Sequence, residues 1–247
     1  NLMGCAGEEE HGRCLWRRWY LTHILPRENG RPLAPKYCLH VLSANNMPEF
    51  TGADEQNQRR GIEDYLREDL RPDIWWIDAG WYPCAGEWPK TGTWTPDPAR
   101  FPHGLAPVGE LCCKEGIQLL LWFEPERVRQ GTELAAEHPE WLLRLRREDD
   151  SLDENSLLNL GDPACCDWVI ERVSRLIREN QVSIYRQDFN IHPPARYWAT
   201  GDEPDRAGTT ENHHIQNLLV FWDTLKERHP GLLIDNCSSG GRRNDYE

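Results

Sequence analysis

Val182-Ser183-Ile184-Tyr185-Arg186-Gln187-Asp188-Phe189-Asn190 opens as a β-strand and closes on groups that no strand needs for folding. Val182, Ile184 and Tyr185 supply the β-branched and aromatic side chains that suit a pleated, buried surface. A cation, an amide, a carboxylate and a second amide follow, and His192-Pro193-Pro194 then ends regular structure. Taken alone, Asp188 is open to two readings. It is either a strand-end carboxylate paired with Arg186, or a catalytic group at the C-terminal mouth of a parallel barrel.

Working outward, the same grammar recurs. Cys38–Leu42 reads as a first strand, followed by a polar loop over 43–52 and a charged helix from Asp54 to Leu70. Asp73–Asp78 is a nearly continuous apolar strand, as expected where both faces are buried. A long loop over 79–101 leads to a helix over Gly104–Glu115, and Ile117–Phe123 forms a third strand. A helix around Thr132–Glu137 precedes a short fourth strand at Ser156–Leu160. Asp162 then caps a helix opened by Pro163 and running to Asn180, with Val169, Val173, Leu176 and Ile177 forming its apolar stripe. The opening stretch is the fifth strand, Thr210–Arg228 a helix, and Gly231–Asn236 the sixth strand.

Six strands alternating with helices predict an α/β fold with a parallel sheet, either doubly wound or a (β/α)8 TIM-type barrel. No G-x-G-x-x-G follows the first strand, which weighs against a dinucleotide fold. Polar residues at successive strand ends (Asp78, Glu124, Asp188, Asn190, and Asp235 to Ser239) favour the barrel, where they converge on one mouth. Six of eight β/α units make the barrel incomplete. Residues 1–36 read as irregular, the tail of a preceding domain or a linker. Residues 37–247 read as the barrel, truncated at its C-terminus.

The bulk properties narrow the function. The 247 residues carry 28% charged and 38% hydrophobic side chains and a net charge of −13, which disfavours nucleic acid and anionic membranes as partners. No run of about 18 apolar residues predicts a transmembrane helix, and no signal peptide is visible, so a cytoplasmic location is expected. Twelve tryptophans point weakly to sugar faces as well as to cores. Nine cysteines without a C-x-x-C spacing suit neither zinc nor a regular disulfide framework. His213 and His214 share a helix, and no metal role is expected of them.

Four motifs in order carry a specific resemblance. They are Trp76-Ile77-Asp78-Ala79-Gly80-Trp81, Leu121-Trp122-Phe123-Glu124-Pro125-Glu126, Tyr185-Arg186-Gln187-Asp188-Phe189-Asn190, and Asp235-Asn236-Cys237-Ser238-Ser239-Gly240-Gly241-Arg242-Arg243. Over residues 37–247 the chain resembles glycoside hydrolase family 36, the melibiase-type α-galactosidases, which carry D-D-G-W, W-F-E-P-E, K-W-D-M-N and N-C-S-S-G-G-G-R. The resemblance implies a retaining hydrolase of terminal α-galactosides working by double displacement, without metal or organic cofactor. Such chemistry needs a nucleophilic carboxylate and a carboxyl proton donor about 5–5.5 Å apart. By the resemblance Asp188 is the nucleophile, while Asp78, Trp94, Arg186, Asn190, Cys237 and Ser239 line the sugar site. Glu124 and Glu126 take a supporting role.

The departures matter equally. Ala79, Arg186, Gln187 and Arg242 stand where the family has aspartate, lysine, tryptophan and glycine. They leave an α-N-acetylgalactosaminidase, a transglycosidase, or a non-catalytic sugar-binding barrel as alternatives. By this alignment the acid/base belongs to an S-D pair beyond Glu247. An incomplete barrel exposes edge strands, so a partner chain, a homo-oligomer included, is expected.

Overall fold

The computed structural model describes residues 4–25, 27–28, 30–39, 50–240 and 243. The N-terminal part is not irregular throughout. Helix α1 (Glu9–His23) precedes a small hairpin of β1 (Arg27–Glu28) and β2 (Arg31–Pro32). No α1 residue is buried, so the helix rests on local terms such as Glu9 and Glu10 in its first turn and the Glu9–Arg13 pair one turn apart.

The remaining elements follow in order: β3 (Cys38–Leu39), α2 (Glu55–Arg67), β4 (Ile74–Ile77), α3 (Ala106–Lys114), β5 (Gln118–Phe123), β6 (Arg127–Arg129), α4 (Glu133–Glu137), β7 (Leu142–Arg146), β8 (Leu152–Leu158), α5 (Pro163–Glu179), β9 (Val182–Gln187), α6 (Pro194–Trp198), α7 (Thr209–Arg228) and β10 (Leu233–Asn236). Five strands form one parallel sheet in the order β10-β9-β5-β4-β3. This is an arc of a (β/α)8 barrel. Residues 40–42 of the expected first strand lie outside the described residues.

One expected barrel strand is not in the arc. Ser156–Leu158 ends β8, which pairs antiparallel with both β6 and β7 in a separate three-stranded sheet inserted between β5 and α5. The first half of β8 alternates exposed and half-buried positions, the pattern of an antiparallel strand with one wet face rather than a central parallel one. The described residues therefore supply five barrel strands.

Strand register decides what faces what. Trp75 and Ile77 of β4, Leu119 and Leu121 of β5, and Tyr185 of β9 join one core with Ile62 of α2, Val108 and Cys112 of α3, Val169 and Val173 of α5, and Phe221 and Leu225 of α7. This is the helix-covered face. Ile74, Leu120 and Ile184 form a second cluster with Trp76 and Leu233 on the opposite face. Side chains alternate with period two, so positions 74, 76 and 78, 120, 122 and 124, 184, 186 and 188, and 233, 235 and 237 all fall on that second face. It is the interior of the arc.

Capping fixes two helices that carry the core. Asp54 and Asn57 form a reciprocal capping box at the start of α2. Asp162 accepts from the amides of Ala164 and Cys165, with Pro163 in the first turn of α5, as the sequence predicts.

Candidate active site

Asp188 stands one residue past the end of β9, half-buried, and its amide continues the ladder to the carbonyl of Phe123 at 2.8 Å. Five donors converge on its carboxylate. Oδ1 accepts from the amides of Phe189 at 2.8 Å, Ser238 at 3.1 Å and Ser239 at 2.8 Å. Oδ2 accepts from Asn190 Nδ2 at 2.8 Å and Trp122 Nε1 at 3.3 Å. Burial works against ionisation, but the Ser239 amide, the Asn190 side chain, the Phe189 amide and Trp122 together hold the pKa of Asp188 below the ordinary range. The group is ionised, oriented and still reachable by solvent.

The neighbours are positioned by the same strand-end logic. The Cys237 amide donates to the carbonyl of Gln187, bringing the loop after β10 beside Asp188. The Cys237 thiol is pushed up by burial and by the adjacent Asp188 carboxylate, against which the Gly240 backbone and the Arg186 charge pull only partly. It is therefore a neutral side chain in this site. Ser239 donates its hydroxyl to Asn190 Oδ1, which fixes the Asn190 amide with its Nδ2 toward Asp188. Asp188, Asn190, Cys237 and Ser239 are thus brought together.

Arg186 lies in register with Asp235 on β10 and pairs with it through Nη1. Its guanidinium sits 4.5 Å from the Trp76 ring centroid, a cation–π contact on the interior face. Burial alone lowers the Arg186 pKa, but Asp235, Cys237 and Asp78 outweigh it and raise the net value. Asp78, at the end of β4, accepts from the Ala79 amide at 2.7 Å and shares the electrostatic field of Arg186. Sequence reasoning missed Asp235 as a partner. Its place directly opposite Arg186 depends on strand register that one sequence does not reveal.

Trp94 is placed differently from the expectation. It is only 2% exposed, with its ring against Trp81, Tyr82, Trp122 and Phe123, so it buttresses Trp122 rather than closing the opening. The wall is anchored by Trp81, whose Nε1 donates to the carbonyl of Trp122 at 2.9 Å. Arg100 ties the same loop down through the carbonyls of Ala53, Gly80 and Tyr82. Trp122 is both core and site, since its Nε1 reaches Asp188.

Two fully buried glutamates stand behind the carboxylate. Glu124 accepts from the Asn190 amide and from Arg127. Burial raises its pKa to about 7, although Arg127 and the Asn190 amide pull the other way. Glu126 accepts from Gln187, His214 and Arg243. Burial opposes its charge, yet Arg243 and His214 bring its pKa down to about 2. His214, expected only as a helix residue, is in fact a buried donor to this carboxylate.

Among the described residues no group of three or more His, Cys, Asp or Glu side chains could hold a metal ion, and no helix is long and apolar enough to cross a membrane. A surface cleft lined by Asp54, Glu55, Arg59, Arg60, Pro102 and His103 contains none of the residues around Asp188. Arg242 lies outside the described residues.

An arc of parallel barrel strands whose C-terminal ends gather an ionised carboxylate, a guanidinium and amide donors defines the active-site face of a (β/α)8-barrel protein. The chain belongs to the Melibiase family, whose profile matches residues 56–247. It is 31% identical over 181 residues to probable alpha-galactosidase C of Aspergillus flavus, covering 68% of this chain and 23% of that protein. It is 30% identical over 242 residues to alpha-galactosidase C of Emericella nidulans, covering 93% of this chain and 30% of that protein. Its fold superposes on the alpha-galactosidase AgaA of Geobacillus stearothermophilus, a glycoside hydrolase family 36 structure, with a TM-score of 0.77 at 22% identity, over 92% of this chain and 31% of that one. The chain therefore spans less than a third of the length of these relatives.

Proposed function

We propose that this chain forms the nucleophile-bearing part of a retaining α-galactosidase, with Asp188 attacking the anomeric carbon. The observation that carries this reading is the set of five donors on the Asp188 carboxylate at a strand end of the interior face. They keep it ionised near neutrality and leave it half-exposed, the condition a nucleophile needs. Attack gives a covalent glycosyl ester with inversion; hydrolysis of that ester inverts again, so the configuration is retained.

The other groups take roles consistent with their placement. Arg186, braced by Asp235 and Trp76, offers N–H donors to sugar hydroxyls. Asp78, Asn190, Cys237 and Ser239 complete the rim. Glu124 has a raised pKa but is not the proton donor, because it is fully buried and engaged by Asn190 and Arg127. The donor is assigned by the resemblance to the serine–aspartate pair after the next strand. The substrates are terminal α-galactosides of oligosaccharides; related AgaA structures were solved in complex with raffinose and with stachyose, at 22% identity.

The test is chemical rescue in the protein as encoded by its gene. Asp188→Ala should abolish hydrolysis of an aryl α-galactoside, and added azide should restore turnover by giving β-galactosyl azide. An active Asp188→Ala variant, or rescue to the α-azide, would overturn the reading.

A further inference from the structure

The loop after β10 is held in a conformation that its own sequence does not favour. Ser238 and Ser239 both lie in the left-handed region, at φ +77° and +49°, where a side-chain Cβ is crowded. In this arrangement their successive amides point together at Asp188 Oδ1. Something outside the loop must maintain it.

We propose that Glu126 is a positioning residue that, through Arg243, clamps this loop and so aims the Ser238 and Ser239 amides at Asp188. The inference rests on the reading of Asp188 as the nucleophile. The clamp closes both ends of the loop. At one end Asn236 Nδ2 donates to the Arg243 carbonyl at 3.3 Å. At the other, the Arg243 guanidinium grips Glu126 in a two-pronged pair, Nη1 to Oε2 at 2.6 Å and Nη2 to Oε1 at 2.5 Å. The guanidinium also lies 4.0 Å from the ring centroid of Phe189, the residue next to Asp188.

Glu126 is suited to be the fixed point. It is 0% exposed and belongs to the segment directly after β5, part of the central arc. Gln187 Nε2 on β9 donates to Oε2 at 2.7 Å, and His214 Nε2 on α7 bonds Oε1 at 2.8 Å. Gln187 is itself held by Tyr185 and by Trp222 of α7. With four donors on two oxygens, the carboxylate has its charge compensated and its direction set, as a buried carboxylate requires. It has no free lone pair and no exposure, so it acts on the reaction only through the loop. The glutamine at position 187, unusual against the family pattern, is accounted for by the same network: its amide donates to Glu126 and accepts from Tyr185 and Trp222.

The test uses Arg243→Lys, which keeps the charge and loses the two-pronged geometry, with Arg243→Gln as a second variant, both in the protein as encoded by its gene. The readout is the pH dependence of inactivation by a fluorinated α-galactosyl reagent that esterifies the nucleophile, together with a crystal structure of the lysine variant. Loss of the two serine amides should move the acid limb of inactivation to higher pH by about one unit, slowing inactivation by up to about tenfold on that limb while leaving the rate near neutrality little changed. The Ser239 amide should stand beyond hydrogen-bond reach of Asp188 in the crystal. An unmoved acid limb with the loop in place would overturn the clamp. Wild-type protein that is labelled elsewhere counts against Asp188 as nucleophile, while the position of the loop in the lysine variant still decides the clamp.

Discussion

Asn190 Nδ2 donates to Asp188 Oδ2 across 2.8 Å, between two residues that share one face of an extended strand end. The orientation of that amide is not left free. The Asn190 backbone is bound by Glu124 and its Oδ1 by the Ser239 hydroxyl. Asn190→Ala should therefore raise the pKa of Asp188, because it removes a donor to the charged form. The acid limb of kcat/KM should move up by about one pH unit and the plateau should fall roughly tenfold to a hundredfold. A pH profile on an aryl α-galactoside measures both.

Glu124 makes stability depend on pH in a definite direction. Its folded pKa of about 7 lies above the ordinary 4.5, so between these values the folded state binds more protons than the unfolded state. Stability should fall as pH rises through that window, by on the order of 3 kcal/mol from this group. Glu124→Gln cannot titrate and should flatten this slope, although above about pH 7 it also deprives Arg127 of an anionic partner. Urea unfolding at pH 5 and pH 7.5 shows it as a smaller difference in the variant than in the wild type.

Gly109 is a packing position rather than a flexible one. It lies in α3, and a Cβ there would come 2.1 Å from the backbone carbonyl oxygen of Asn180, the C-cap of α5. Neither backbone can yield cheaply, so Gly109→Ala should destabilise by about 1–3 kcal/mol despite its better helix propensity. Denaturant titration tests it, and a stabilised variant would mean that the two helices can separate.

Trp94 should reveal itself through stability before specificity. With its ring inside the cluster of Trp81, Tyr82, Trp122 and Phe123, Trp94→Ala should cost about 3–5 kcal/mol, the usual range for emptying a buried aromatic site. Trp122 would lose its support and Asp188 one donor indirectly. Thermal unfolding and kinetics on the same preparations separate the two effects.

What the sequence revealed, and what it hid, follows from the range of the forces involved. Strand-end chemistry at Asp78, Glu124, Asp188 and Asp235 was legible because a polar residue after an apolar run contrasts with its neighbours. The cap at Asp162 was legible because it acts over three residues, whereas Asp54, read as the first residue of its helix, is in fact the cap. The partnership of Arg186 with Asp235, and of Glu126 with His214 and Arg243, depends on strand register and on contacts 49, 88 and 117 residues apart, which no local pattern encodes. Ser156–Leu160 was assigned to the wrong sheet because three apolar or small residues read alike in a parallel and an antiparallel strand. The alternating Asp153 and Asn155 just before them carried the distinction. Trp94 could not be placed because a tryptophan in a loop suits a sugar face and a core equally.

The central claim is that Asp188 becomes covalently bonded to the sugar. Peptide mass mapping after inactivation of the encoded protein with a fluorinated α-galactosyl reagent tests it most directly. The account predicts one fluorogalactosyl adduct, on the peptide carrying Asp188, and none in Asp188→Asn. An adduct on any other carboxylate, or undiminished labelling of Asp188→Asn, would contradict it.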